Sequence, residues 1–368
     1  MKLERVTLHH MALPLLHAFE TSASRDTENH FIIVEAEAGG VTGYGEVVAD
    51  YTPYYSEETI GTCWHMLTEF LIPYALKHEF SHPSEITGWF RPVRRNKMAK
   101  SGLEGAIWDL WAKTNNMPLA RALGGTKTAI EVGVSVGIDD IPTTLRNVES
   151  FLADGYRRIK VKIKPGHDVR LVSNIRERFG NIPLMADANS AYSLADLPML
   201  KELDQFGLMM IEQPLAHDDI IDHAKVQREL QTPICLDESI HSPEDARKAL
   251  ELGSCRIINI KVGRVGGLQE AKELHDLCQA HGVPVWCGGM LESGIGRAHN
   301  IAITTLPNFT MPGDTSPSRR YWAEDIIAPE VTMGPDGIIP VPTGPGIGFA
   351  PAFDRFPKYT LRTETFRR

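Results

Sequence analysis

Five charged residues recur at almost constant intervals: Lys162, Asp187, Glu212, Asp237 and Lys261, with gaps of 25, 25, 25 and 24 residues. Each ends a short apolar run, and each run is followed by a stretch with helical periodicity. A strand–helix unit has about that length, and a parallel barrel brings the ends of successive strands to one rim. Two lysines would then flank three carboxylates in one pocket. Three carboxylates on separate strands form a hard, oxygen-only donor set suited to Mg²⁺ or Mn²⁺ rather than zinc. A metal there can bind a substrate carboxylate and stabilise an enediolate, while a lysine removes the adjacent proton. Lys160 lies two residues from Lys162, and Arg264 lies three beyond Lys261. Each is placed to lower a lysine pKa by like charge.

Strand alternation gives these residues a direction. In Arg158-Ile159-Lys160-Val161-Lys162-Ile163 the apolar residues share one parity and the cations the other. Helices cover the outside of a barrel, so its outer face is apolar and Lys160 and Lys162 point inward. By the same rule Met185 faces with Asp187, Met210 with Glu212, Cys235 with Asp237, and Asn259 with Lys261. A lumen of mixed sign is far less costly than one of a single sign.

The elements that must hold this pocket are readable from residue 130 onward. Strands are expected at 131–136, 158–163, 184–188, 208–212, 234–237, 256–261, 283–287 and 309–311, with helices between them. That rhythm predicts a modified TIM barrel, (β/α)7β, over residues 126–320. Residues 1–125 read differently. Alternating antiparallel strands at 3–13, 31–38 and 41–48 precede helices at 57–76, 83–93 and 100–114. They form an α+β capping domain, to which residues 321–368 return.

The 368 residues are 42% hydrophobic and carry a net charge of −9, which disfavours nucleic-acid wrapping and anionic membranes. No membrane-length apolar run or signal-peptide core is present. Five unpaired cysteines suit free thiols in a reducing cytoplasm.

The stretches Lys160-Val161-Lys162, Asp187-Ala188-Asn189, Ile211-Glu212-Gln213-Pro214, Leu236-Asp237-Glu238-Ser239 and Asn259-Ile260-Lys261 resemble the enolase superfamily, muconate-lactonizing subgroup. That superfamily's use of a Lys or His base with Mg²⁺ is a standard example. Further stretches, Lys261-Val262-Gly263-Arg264, Gly288-Gly289-Met290-Leu291-Glu292-Ser293-Gly294 and Pro312-Gly313-Asp314-Thr315-Ser316, resemble the o-succinylbenzoate synthase/N-succinylamino acid racemase family. The resemblance implies that Asp187, Glu212 and Asp237 hold Mg²⁺ and that Lys162 and Lys261 face opposite sides of a carboxylate substrate with a succinyl arm. Dehydration of a cyclohexadiene carboxylate to 2-succinylbenzoate, on the menaquinone route, and racemisation of N-succinylamino acids would share one half-reaction. Lys160, Asn189 and Arg264 would support the lysines and carboxylates, with Arg264 tuning Lys261. Ser135, Gly289, Met290, Asp314, Phe19, Arg25 and Tyr55 would surround the substrate, and an even-numbered homo-oligomer is implied. The loop at 19–30 departs from the family by its polarity. Rivals are a dipeptide epimerase, whose Asp-x-Asp is replaced here by Asp314-Thr315-Ser316, a muconate cycloisomerase, and a Schiff-base aldolase on the same barrel.

Overall fold

The computed structural model describes residues 1–20 and 25–368, without the side chains of Phe19, Glu20 and Arg25. The capping sheet is antiparallel. Its strands are β1 (Arg5–Glu20), β2 (Arg25–Ala38) and β3 (Val41–Val47), with the C-terminal strand Thr360–Arg367 paired to the outer edge of β1. The tail thus closes onto the first element of the chain. Helix Lys97–Thr114 packs across β3. Contact is close because Gly43 and Gly45 carry no side chain: a Cβ at either would collide with the backbone of Gly102, Ala106 or Leu110. This helix starts three residues before its expected position. Glu58, distant in sequence, accepts hydrogen bonds from the Met98 and Ala99 amides at 2.9 and 3.2 Å and caps it.

The polar stretch 19–30, expected as a loop, is mostly an extension of the β1–β2 hairpin. The ladder runs on through Leu13↔Asn29 and Pro14↔Glu28, shifts register, and resumes at Phe19↔Asp26. The shift follows Pro14, which cannot donate to a ladder. Backbone pairing needs no apolar side chains, so polarity alone was a poor guide.

After β4 (Ala129–Glu131), which pairs with Ile338–Pro340, seven parallel strands follow in spatial and sequence order. They are β5 (Gly133–Val136), β6 (Arg158–Lys162), β7 (Leu184–Asp187), β8 (Ile211–Glu212), β9 (Ile234–Leu236), β10 (Ile257–Ile260) and β11 (Val285–Cys287). The ring is closed by residues 309–313. Thr310 N donates to Val285 O at 3.2 Å, and Gly133 N to Gly313 O at 2.7 Å. The eighth element is thus two bridges wide rather than a full strand.

Alternation sorts the barrel as expected. Ile159, Val161, Ala186, Ile211, Leu236 and Ile258 belong to the large core under the helices, whereas Met185, Met210, Cys235, Ile257 and Trp286 form a separate cluster. The capping domain is tied to the barrel by its own carboxylates. Glu46 on β3 accepts from the Ser293 and Gly296 amides at 2.9 and 2.8 Å, at the start of helix Gly294–Thr304. Glu104 accepts from Leu268 and Gln269 at 2.8 and 2.9 Å, at the start of helix Leu268–Ala280. Both satisfy orphan helix donors and meet the positive dipole end. No helix among the described residues is long and apolar enough to cross a membrane.

Candidate active site

Parallel register sets the rim. Lys162 pairs with Asp187, Asp187 with Glu212, and Glu212 with Cys235, two residues before Asp237. All five spaced charges are buried. Lys162 Nζ donates to Asp187 Oδ2 at 2.7 Å and to Asn189 Oδ1. Across the site Lys261 Nζ lies 3.0 Å from Asp237 Oδ2 and donates to the Tyr55 hydroxyl, which descends from the capping domain. Lys160 sits deeper, between Asp314 (2.7 Å), Glu212 (3.2 Å) and Asp187 (3.3 Å), with its ammonium 4.9 Å from the centre of the Trp286 ring. Arg158 completes that floor through a 2.7 Å pair with Asp314.

Arg264 pairs with Asp237 and donates to Ile240 O and Asn259 O, each at 2.9 Å. Asn259 Nδ2 in turn donates to Glu212 Oε1 at 2.6 Å. Asn189 bridges outward to Glu238 Oε1 at 2.8 Å. Asn189, Ser190 and Gln213, just beyond β7 and β8, and Leu291, four residues after β11, all have left-handed φ, at 41°, 64°, 38° and 56°. Such backbone in non-glycine residues is costly and concentrates at functional sites.

The charges perturb one another strongly. Burial raises the Asp187 carboxyl, but Lys162 and Lys160 outweigh it and hold the group below the usual range. Glu212 goes the other way, raised by burial and then by Asp187. Glu238 rises to about 7, from burial and the charges of Asp237 and Asp187. The expected lowering of Lys261 by Arg264 is present, but the net shift goes the other way. Burial and Arg264 pull it down, but Asp237, with Tyr55, leaves it raised above an ordinary lysine. Lys160 is likewise raised, burial being outweighed by Asp314, Glu212 and Asp187.

A divalent cation suits this donor set. Asp187, Glu212 and Asp237 reach the same rim from adjacent units and offer only oxygen, and Glu238 Oε2 is buried without a partner. Among the described residues no three His, Cys, Asp or Glu side chains stand close enough to hold a metal ion. Lys160, Lys162, Lys261 and Arg264 occupy the carboxylates instead.

Above the rim is a cavity of about 180 Å³. Of the expected substrate neighbours, Ser135, Tyr55, Gly289, Met290 and Asp314 line it, together with Lys160, Lys162, Asn189 and Lys261. Arg264 does not; it stands behind Asp237 and faces a second, adjoining cavity. The side chains of Phe19 and Arg25 lie outside the described residues. Tyr54 lines the cavity beside Tyr55, and Asp26, Asp50, His217 and Leu291, which were not singled out from sequence, line it too. They come from the cap hairpin, from loops and from strand ends, and carry no periodic signal. Glu238 stood within a recognised motif without a role.

Residues 4–124 match the family model "Mandelate racemase / muconate lactonizing enzyme, N-terminal domain", and residues 143–355 match "Enolase C-terminal domain-like". The chain is 57% identical over 368 residues to an o-succinylbenzoate synthase of Geobacillus kaustophilus, covering 100% of the chain and 98% of the relative. It is 49% identical over 349 residues to an N-succinylamino acid racemase of Thermus thermophilus, covering 95% and 94%. A solved enolase-superfamily structure from Listeria innocua superimposes with a TM-score of 0.97 at 42% identity, covering 100% of this chain and 99% of that one.

Proposed function

The chain belongs to the mandelate racemase/muconate lactonizing enzyme family of the enolase superfamily, and from that premise we propose that it is a divalent-metal-dependent o-succinylbenzoate synthase that also racemises N-succinylamino acids. The observation that carries this reading is the pair of buried lysines, Lys162 and Lys261, on opposite flanks of one cavity over three carboxylates. The whole-length likeness to relatives named for both activities supports it.

Asp187, Glu212 and Asp237 would hold Mg²⁺ (or Mn²⁺). When bound, that ion takes up their charge in place of the lysines, anchors a substrate carboxylate and stabilises the dianion formed when the α-proton leaves. Lys162 would remove the proton α to that carboxylate. Its 2.7 Å contact with Asp187 and its bond to Asn189 hold the amine at the strand end. In the dehydration, the Lys162 ammonium would return the proton to the departing hydroxide, releasing water as the ring becomes aromatic. The Lys261 ammonium would face the developing negative charge from the other side. In the racemisation, Lys261 would deliver a proton to the face opposite Lys162. Tyr55 accepts a hydrogen bond from Lys261, so a capping-domain side chain is in direct contact with this lysine. The cap–barrel boundary would fall near residues 125–126 and the tail beyond 320 would serve both parts.

Purified protein should turn over 2-succinyl-6-hydroxy-2,4-cyclohexadiene-1-carboxylate and N-succinylphenylalanine only with a divalent ion. Lys162→Ala should lose both reactions, and retained turnover of either would overturn the base assignment.

A further inference from the structure

Glu238 follows Asp237, is 6% exposed and lines the catalytic cavity. Among the described residues its carboxylate has one hydrogen-bond partner: Oε1 accepts from Asn189 Nδ2 at 2.8 Å, and Oε2 is buried with none. A carboxylate buried for a single hydrogen bond is costly, which points to function rather than stability. The other end of the Asn189 amide, Oδ1, accepts from Lys162 Nζ. Glu238, Asn189 and Lys162 therefore form a row of three side chains. An amide has a donor end and an acceptor end, so the row has a direction. While Lys162 is an ammonium it only donates, and it holds Oδ1 toward itself unaided. The neutral amine, the form that takes a proton, accepts as well as donates. It no longer sets the amide, and a flipped Asn189 would aim an N–H at the lone pair the reaction needs. The Asn189 backbone does not prevent the flip, because its N–H donates to Asp187 Oδ1 at 3.1 Å whichever way the side chain turns. The acceptor that prevents it is Glu238 Oε1.

We propose that Glu238 is a positioning residue for proton abstraction: it locks the Asn189 amide with Oδ1 toward Lys162, so that the neutral amine spends its N–H groups on Asn189 and Asp187 and turns its lone pair to the cavity. The inference rests on the proposed role of Lys162 as base and adds the group that orients it. Asp187 Oδ2, 2.7 Å from Lys162 Nζ, takes the second N–H. With both N–H groups and Cε placed, one tetrahedral direction remains, and Lys162 lines the cavity. In the step itself the substrate Cα–H bond breaks, its electrons pass into the substrate carboxylate, and the proton joins the Lys162 lone pair.

The test follows α-proton exchange of the two N-succinylphenylalanine enantiomers in deuterium oxide, in the Mg²⁺-loaded wild type, Glu238→Met and Glu238→Gln. The enantiomer that Lys162 serves is the one Lys261→Ala still exchanges. In Glu238→Met its exchange should slow by about ten- to hundredfold, in kcat rather than KM, while exchange of the other enantiomer keeps its rate. Glu238→Gln retains an acceptor for Asn189 and should lose less. Titration calorimetry with Mg²⁺ alone should give the wild-type affinity in both variants. Equal slowing of the two enantiomers, or weakened Mg²⁺ binding, would place Glu238 on the metal or the fold and overturn the proposal while the base assignment stands. Unchanged exchange in Glu238→Met, or an equal loss in Glu238→Gln, would also overturn it. If wild type exchanges neither enantiomer, the base assignment fails and the inference falls with it.

Discussion

Lys160 offers a sharp test of how the rim is held together. It is 3% exposed and lies within 3.3 Å of Asp314, Glu212 and Asp187, which makes it central to charge balance. Lys160→Met keeps the stem and most of the volume, so the packing cost is small. The loss is electrostatic: removing one partner of a buried ion pair costs about 3–5 kcal/mol. For a chain of 368 residues that corresponds to a fall in Tm of about 4–6 °C. Lys160 is raised and Asp314 lowered from their ordinary values. The lysine's contribution is complete below its unfolded pKa and is lost only as pH rises through the higher folded one. The aspartate's is present above its unfolded pKa and is lost as pH falls through the lower folded one. The effect should therefore be full at neutral pH. With chelator present, calorimetry should show the low Tm. Saturating Mg²⁺, at a hundredfold over Kd, should return about 2.7 kcal/mol, and the gain should exceed that of the wild type because Lys160 no longer repels the cation. A Tm within about 2 °C of wild type, together with an unchanged Mg²⁺ response, would refute the counter-ion role.

Three further outcomes follow. Gly45→Ala places a methyl group against the Gly102 carbonyl and should cost about 1–3 kcal/mol of stability, read by denaturant unfolding; a neutral result contradicts the close sheet–helix approach. Glu104 is raised from 4.5 to about 7 by burial, so the folded state holds a proton that the unfolded state loses. Wild-type stability should therefore fall relative to Glu104→Gln by up to about 3 kcal/mol between pH 5 and 8, and a pH-independent difference would contradict it. Asp237→Asn should weaken Mg²⁺ binding by at least about tenfold in titration calorimetry; unaltered affinity would remove Asp237 from the ligand set.

The barrel was readable because five consecutive units, β6 to β10, repeat one instruction. A strand of two to five residues ends in a charge or stops one residue before it, and alternation then fixes which side that charge faces. The 25-residue spacing of Lys162, Asp187, Glu212 and Asp237 survives in the structure as neighbouring rim positions. What depends on docking one part of the chain against another was not readable. Glu58, Glu46 and Glu104 cap helices 40 to 250 positions away, and nothing local marks them. Asp26 and Asp50 reach the cavity only because the cap sits over the barrel mouth. Lys261 illustrates a different limit. Sequence proximity put Arg264 beside it as a like charge, but the fold inserts Asp237 between them, and the sign of the net effect reverses.

The most direct test of two opposed lysines is α-proton exchange of each N-succinylphenylalanine enantiomer in deuterium oxide, followed by NMR with Mg²⁺ present. Wild type should exchange both enantiomers and interconvert them. Lys261→Ala should exchange one enantiomer only, Lys162→Ala only the other, and neither variant should invert configuration. Exchange of both enantiomers by either variant, or of the same single enantiomer by both, would contradict the arrangement.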